Sequence, residues 1–183
     1  MTKVLDFSTT EQQPAKIMLV DDDPVMRELA GAKLAGAGYD VAYANNGAEA
    51  LESLGRDRFD LVISDLDMPV MDGFELTKTV RDSRFYGDLP VIVITGSESK
   101  NAVERAFASG ATSFLTKPVN WTLFSHSVQF VLRASEDQRA LKAARDLAEA
   151  GSQFKDSLMS VMSHELRSPS NCPKPMMAFN GVR

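Results

Sequence analysis

The chain has 183 residues, 44% hydrophobic and 25% charged, a net charge of −5 and one cysteine, Cys172. This balance suits one globular domain with room for an appendage, and the negative charge disfavours nonspecific nucleic-acid binding. A lone cysteine excludes an internal disulfide, so a reducing cytoplasm is the expected setting. Met1–Lys16 lacks the apolar core of a signal peptide, and no apolar run is long enough for a bilayer, so neither secretion nor membrane insertion is expected.

Residues 1–15, rich in Thr, Gln and Ser, read as a flexible leader. Lys16–Val20 is a short apolar strand, followed at once by Asp21-Asp22-Asp23-Pro24. Asp23 can cap a helix and Pro24 suits its first turn. Val25, Met26, Leu29, Ala32 and Leu34 then make a helical stripe that Gly36 and Gly38 end. Tyr39–Ala44 is a second strand, Asn45-Asn46-Gly47 a turn and Ala48–Leu54 a short helix. Asp60–Ser64 is a third strand, apolar without alternation, as expected of a strand covered on both faces. Met68-Pro69 forces an extended turn, and Asp72 can cap a helix over Phe74–Arg84. Pro90–Ile94 is a fourth strand, Glu98–Ser109 a helix stopped by Gly110, and Thr112–Leu115 a fifth strand. From Asn120 the pattern is helical for a long way.

Strands alternating with helices predict an α/β fold: a doubly wound five-stranded parallel sheet, flavodoxin-like with order 2-1-3-4-5, and a long C-terminal helical extension. In such sheets ligands bind beyond the carboxyl ends of the strands. Those ends carry Asp21 and Asp22 (strand one), Asp65 (strand three), Thr95 (strand four) and Lys117 (strand five). Strands one and three are neighbours in this order, so three carboxylates converge and repel unless a hard cation joins them. Magnesium fits, with Asp21, Asp22, Asp65 and the backbone carbonyl of Asp67 as ligands. Asp65 can then attack phosphorus as a ready-made anion, while Mg2+, the Lys117 ammonium and the Thr95 hydroxyl each take one phosphoryl oxygen.

Val20-Asp21-Asp22, the loop Asp65-Leu66-Asp67-Met68-Pro69-Val70-Met71-Asp72-Gly73, Ile94-Thr95 and Leu115-Thr116-Lys117-Pro118 together resemble the receiver domain of bacterial two-component response regulators. The resemblance covers about residues 15–134 and implies a receiver domain over 16–133. It implies Asp65 as phosphoacceptor, Asp21 and Asp22 as magnesium ligands, and Thr95 and Lys117 as phosphoryl contacts. It also implies Phe114 as the switch aromatic, Asp67 and Ser97 as residues that tune phosphate loss, and a cognate histidine kinase or phosphotransfer protein as partner.

Beyond the receiver, residues 134–169 are rich in Ala, Leu, Glu, Lys and Arg. Leu141, Ala144, Ala148, Gly151, Phe154, Leu158, Val161 and Glu165 are spaced by three or four, near coiled-coil spacing, which predicts pairing with a second copy, a homodimer, through this helix. Phe154–Pro169, ending Ser163-His164-Glu165-Leu166-Arg167-Ser168-Pro169, resembles the histidine box of sensor histidine kinases and makes His164 a possible second phosphorylation site. The family's second helix and ATP-binding domain do not follow: Pro173 and Pro175 oppose a helix, no glycine-rich nucleotide loop exists, and 170–183 reads as a disordered tail. The expected function is a phosphorelay acceptor without kinase activity. Two alternatives stand beside it: a fragment of a hybrid sensor kinase, and a haloacid-dehalogenase-type phosphatase built on Asp65-Leu66-Asp67.

Overall fold

The structure, a computed structural model, describes residues 13–96 and 100–165, the side chains of 100–103, 152 and 155–165 excepted. Ser97, most of the leader and the tail beyond 165, Cys172 included, lie outside the described residues. The elements run β1 (Lys16–Val20), α1 (Pro24–Gly36), β2 (Asp40–Ala44), α2 (Gly47–Arg56), β3 (Leu61–Asp65), α3 (Gly73–Asp82), β4 (Val91–Thr95), α4 (Lys100–Ala108), β5 (Ser113–Thr116) and α5 (Trp121–Glu165). The sheet order is β2-β1-β3-β4-β5 with every pair parallel, the flavodoxin-like order.

Strand alternation sorts the core into two layers. Ile17, Leu19, Leu61, Ile63, Ile92 and Ile94 face α1 and α5, where Ala30, Leu34, Phe124, Val128 and Val131 meet them. Met18, Val20, Val62, Val91 and Val93 face α2, α3 and α4, against Ala50, Leu54, Leu76, Val80 and Ala106. Both faces are covered, which is why the central strands read as unbroken apolar runs. Trp121 packs edge-on against Phe124, centroids 5.5 Å apart, where α5 starts.

The helix ends follow the polar residues that flank them. Asp23 accepts from the amides of Val25 and Met26, and Asp72 from that of Glu75. Asn46, expected in a turn, caps α2: its side chain accepts from Glu49 N at 3.0 Å, and the Glu49 carboxylate accepts from Asn45 N at 2.9 Å. This reciprocal arrangement starts the helix earlier than apolar spacing alone indicates. α1 closes with Gly38 at φ 89°, Gly38 N donating to Ala35 O and Tyr39 N to Leu34 O.

Arg81, in the last turn of α3, donates to the carbonyls of Gly110 (2.7 Å), Gly87 (3.2 Å) and Leu89 (2.5 Å) and to the Thr112 hydroxyl (3.0 Å). One side chain thereby joins α3, the loop entering β4 and the loop entering β5.

The chain divides into two units, Met1–Gln138 and Arg139–Arg183. In the first, α5 buries Phe124, Val128, Val131, Leu132 and Ser135. In the second, the helix continues to Glu165 and Leu141, Leu147 and Phe154 are exposed. Among the described residues no helix is long and apolar enough to cross a membrane.

Candidate functional site

β3 continues one residue beyond its expected end, so Asp65 is its last residue rather than the first of the loop. The cause is the ladder: Leu66 N still donates to Ile94 O at 3.0 Å. Asp65 therefore stands on a strand paired on both sides, and it is 4% exposed. The loop then folds back, with Gly73 N donating to Leu66 O at 3.0 Å. A side chain at Gly73 would strike the Asp65 carbonyl oxygen and the Leu66 backbone, so only glycine fits against the end of β3 here. Between them, Met71 N donates to Pro69 O at 2.8 Å across Val70, whose φ is 70°. A β-branched residue at positive φ in so tight a turn is strained, and Val70 is exposed at the rim.

Asp21, Asp22 and Asp65 each offer a carboxylate oxygen, all within 4.8 Å of one another. Asp21 and Asp65 are buried and Asp22 is exposed. Lys117 Nζ lies 3.0 Å from Asp65 Oδ1 and 4.0 Å from Asp21 Oδ2. Burial pushes the Asp65 carboxyl above its ordinary value, more than the Lys117 hydrogen bond and charge pull it down. Burial likewise raises Asp21; the Asp23 amide and Lys117 oppose it, while Asp65 and Asp22 add to it. For Lys117, burial favours the neutral amine, but the hydrogen bond and charge of Asp65 outweigh it and the ammonium is favoured. Two buried carboxylates too weakly compensated by one lysine, with a third beside them, form a donor set that suits a hard divalent cation.

Thr95 ends β4, 2% exposed, one residue past the register partner of Asp65, and its carbonyl accepts from Lys117 N at 2.8 Å. The Lys117–Pro118 peptide is cis. Phe114 pairs in register with Val93 and packs on the α4 face, where Phe107 meets it edge-on at 5.5 Å. Asp67 is exposed at the mouth of the site. The structure thus brings Asp21, Asp22, Asp65 and Lys117 together, with Thr95 on the adjoining strand end. His164 lies in α5 with its side chain outside the described residues.

Residues 17–129 match the response regulator receiver domain family. The chain belongs to that family. Similar curated proteins include the transcriptional regulatory protein GlrR of Escherichia coli K12, 40% identical over 123 residues (67% of this chain, 27% of GlrR). The sensor histidine kinase RcsC of the same organism is 37% identical over 114 residues, 62% of this chain and 12% of RcsC. The chain therefore spans about a quarter or less of these relatives. Among solved structures, the chemotaxis response regulator CheY4 of Vibrio cholerae is 39% identical with a TM-score of 0.62, covering 64% of this chain and 98% of that one. The receiver domain of sensor histidine kinase PA1611 from Pseudomonas aeruginosa, solved with a magnesium ion in its active-site cleft, is 28% identical with a TM-score of 0.61, covering 65% and 98%. The receiver is thus a two-component signalling domain of the kind found in response regulators and in the hybrid kinase RcsC, and the alternative functions are not favoured. Receiver domains bind Mg2+ in an acidic pocket and interact with histidine kinases or phosphotransfer proteins.

Sequence reasoning gave no structural role to Gly73, to Arg81, which bonds the loops entering β4 and β5, or to Arg27, whose guanidinium donates to the Asp21 carbonyl. Gly73 was legible only as the residue after the helix cap Asp72, at the end of the Asp65 loop. Arg81 has no local signal, since its acceptors lie six to 31 positions away. Arg27 did leave one: a cation in the first turns of a helix opposes the helix dipole, which points to a partner outside the helix.

Proposed function

We propose that Asp65 is the phosphoacceptor of this receiver. One carboxylate oxygen attacks phosphorus; the bond from phosphorus to the donor (the nitrogen of a phosphohistidine or the oxygen of an acyl phosphate) breaks, and the donor leaves with that electron pair. The observation that carries this is the convergence of Asp21, Asp22, Asp65 and Lys117 at neighbouring strand ends. Asp21, Asp22, Asp65 and the Asp67 carbonyl would hold Mg2+, which neutralises charge on the phosphoryl group. Lys117 turns from Asp65 to a phosphoryl oxygen, and the Thr95 hydroxyl donates to another. Asp67 and Ser97 tune access of water to the product. Movement of Thr95 lets Phe114 shift, which carries the signal to α4 and β5.

The partner is a histidine kinase or phosphotransfer protein, in the cytoplasm. Acetyl phosphate with Mg2+ should add one phosphoryl group by intact mass, without Mg2+ none, and Asp65→Asn should remove the shift. Equal labelling of the Asp65→Asn variant at another receiver residue would overturn the assignment.

For 134–169 we propose a homodimerising helical segment descended from a kinase histidine box, with His164 its former or second phosphorylation site. The exposure of Leu141 (72%) and Phe154 (68%), both on the three-or-four-spaced stripe, supports it, because pairing of two such stripes would bury them. The full chain should sediment as a dimer, and the double variant Leu141→Glu, Phe154→Glu as a monomer; equal masses would remove the segment from the assembly.

A further inference from the structure

We propose that Arg27 is a positioning residue for the cation site, fixing the peptide between Asp21 and Asp22 so that both carboxylates are set before a cation arrives. This rests on the magnesium reading of the acidic cluster given above. Arg27 Nη1 donates to the carbonyl oxygen of Asp21 at 2.5 Å. That carbonyl belongs to the peptide whose nitrogen is that of Asp22, so the bond fixes the plane from which the Asp22 side chain departs. Asp22 is the exposed member of the cluster, and what acts on its carboxylate is the charge of Lys117, which attracts it, and that of Asp21, which repels it. Asp21 is held by its own contacts, Oδ1 accepting from Asp23 N at 2.9 Å and its amide reaching Ala44 O at 3.3 Å. Arg27 thus acts on the peptide of the one carboxylate in the cluster that is exposed.

Its own placement is unfavourable unless it does something. Arg27 is half-buried in the first turns of α1, where the helix field disfavours a cation. Glu49 offsets this. Its carboxylate, held by Asn45 N (2.9 Å) and Asn45 Nδ2 (2.7 Å), lies close enough for the Arg27 charge to help hold its carboxyl below the ordinary range, after those larger hydrogen bonds. Glu49, in the first turn of α2, is thus a weak attraction across to the arginine of α1.

Charge and position predict opposite signs, which makes the role testable. If Arg27 acted only through its charge, removing it would lessen repulsion of an incoming cation and tighten binding. If it fixes the ligand peptide, removing it loosens binding, by about ten-fold at the low end of the range for partners that orient metal ligands. The experiment is calorimetric titration of the full chain with Mg2+ alone, beside thermal melting in EDTA. Arg27→Met is expected to bind Mg2+ about ten-fold more weakly with its metal-free melting temperature nearly unchanged, and Arg27→Lys, which keeps a donor, to fall between it and the original protein. Equal or tighter binding by Arg27→Met overturns the proposal. So does weaker binding accompanied by a large loss of metal-free stability, which would make Arg27 an ordinary structural residue. No binding by the unsubstituted chain would instead defeat the magnesium reading itself.

Discussion

The β1–β3 side of the crevice and its α4–β5 side are held by different amounts of buried chain. Every residue of β3 and all but the first of β1 are buried, whereas every residue of β5 is half-buried. Among the described side chains of α4 only Ala106 enters the core; Phe107 adds an edge contact to Phe114, and Arg105 lies 4.3 Å over the ring of Phe74 on α3. Phosphoryl transfer needs carboxylates fixed in position, while a response to phosphorylation needs an element of low local stability. The proposed acceptor, Asp65, stands on the rigid side; the expected responder, Phe114, on the thin one.

The difference is broken most directly from the rigid side. Gly73→Ala would place a methyl against the Asp65 carbonyl, backbone on backbone, where nothing flexible can yield. The expected loss is about 3 kcal/mol, the upper part of the range for overpacking, with reduced labelling of Asp65 because its strand end moves. Gly96→Ala, at the start of the thin side, meets nothing within 4 Å and should change stability by less than about 0.5 kcal/mol. Urea denaturation of both variants gives the contrast; equal losses would deny it.

The thin side is anchored at its base by Arg81. Arg81→Met leaves three carbonyls without this donor, while Thr112 Oγ1 keeps the Val91 amide (3.1 Å), for an expected loss of about 2 kcal/mol. Because none of these groups touches the acidic cluster, Mg2+-dependent labelling should persist while amide exchange quickens in α4 and β5. Exchange that quickens equally in β1 and β3 would mean that the two sides open together.

These residues also mark where sequence reading stops. The strand order and the strand-end cluster were legible because they rest on local signals: apolar runs, acidic residues where those runs stop, and caps such as Asp23 and Asp72. Asp65 was legible as a residue, but its membership of β3 was not, since that depends on an amide of Leu66 reaching β4. Asn46 read as a turn because turns and caps use the same residue types. Arg81, and the pairing of Arg105 with Phe74 across 31 positions, depend on packing alone.

The metal-free charge balance of the rigid side gives a smaller effect with a definite sign. Burial raises the Asp21 carboxyl, so the folded chain holds that proton more tightly than the unfolded chain. Ionising Asp21 therefore costs stability, from the ordinary aspartate range near pH 4 up to the raised folded value, and the cost persists above it. In EDTA, Asp21→Asn should gain on the original protein across that window and keep the gain at neutral pH. With Mg2+ the order should reverse, since the variant has lost a ligand. A stability difference independent of pH in EDTA would show that Asp21 is not strained by its burial.

The smallest expected effect tests the thin side itself. Arg105 is exposed, and its guanidinium over the face of Phe74 is worth about 0.5–1 kcal/mol as an exposed cation–π contact. This contact ties α4 to α3, whereas Ala106 and the Phe107–Phe114 edge contact tie it to the core and to β5. If phosphorylation displaces α4, the contact belongs to the resting state, and its loss favours the phosphorylated one by the same free energy. Arg105→Met keeps the apolar stem and removes the charge. Its affinity for beryllium fluoride with Mg2+, a phosphoryl mimic, should rise about two- to five-fold, while Mg2+ affinity alone stays unchanged. Phe74→Leu should do the same, and the double variant should gain no more than either single one, because both remove one interaction. Unchanged mimic affinity in Arg105→Met would mean that α4 keeps its place on phosphorylation, or moves without parting from α3, and the switch would then have to run through β5 and Phe114 alone.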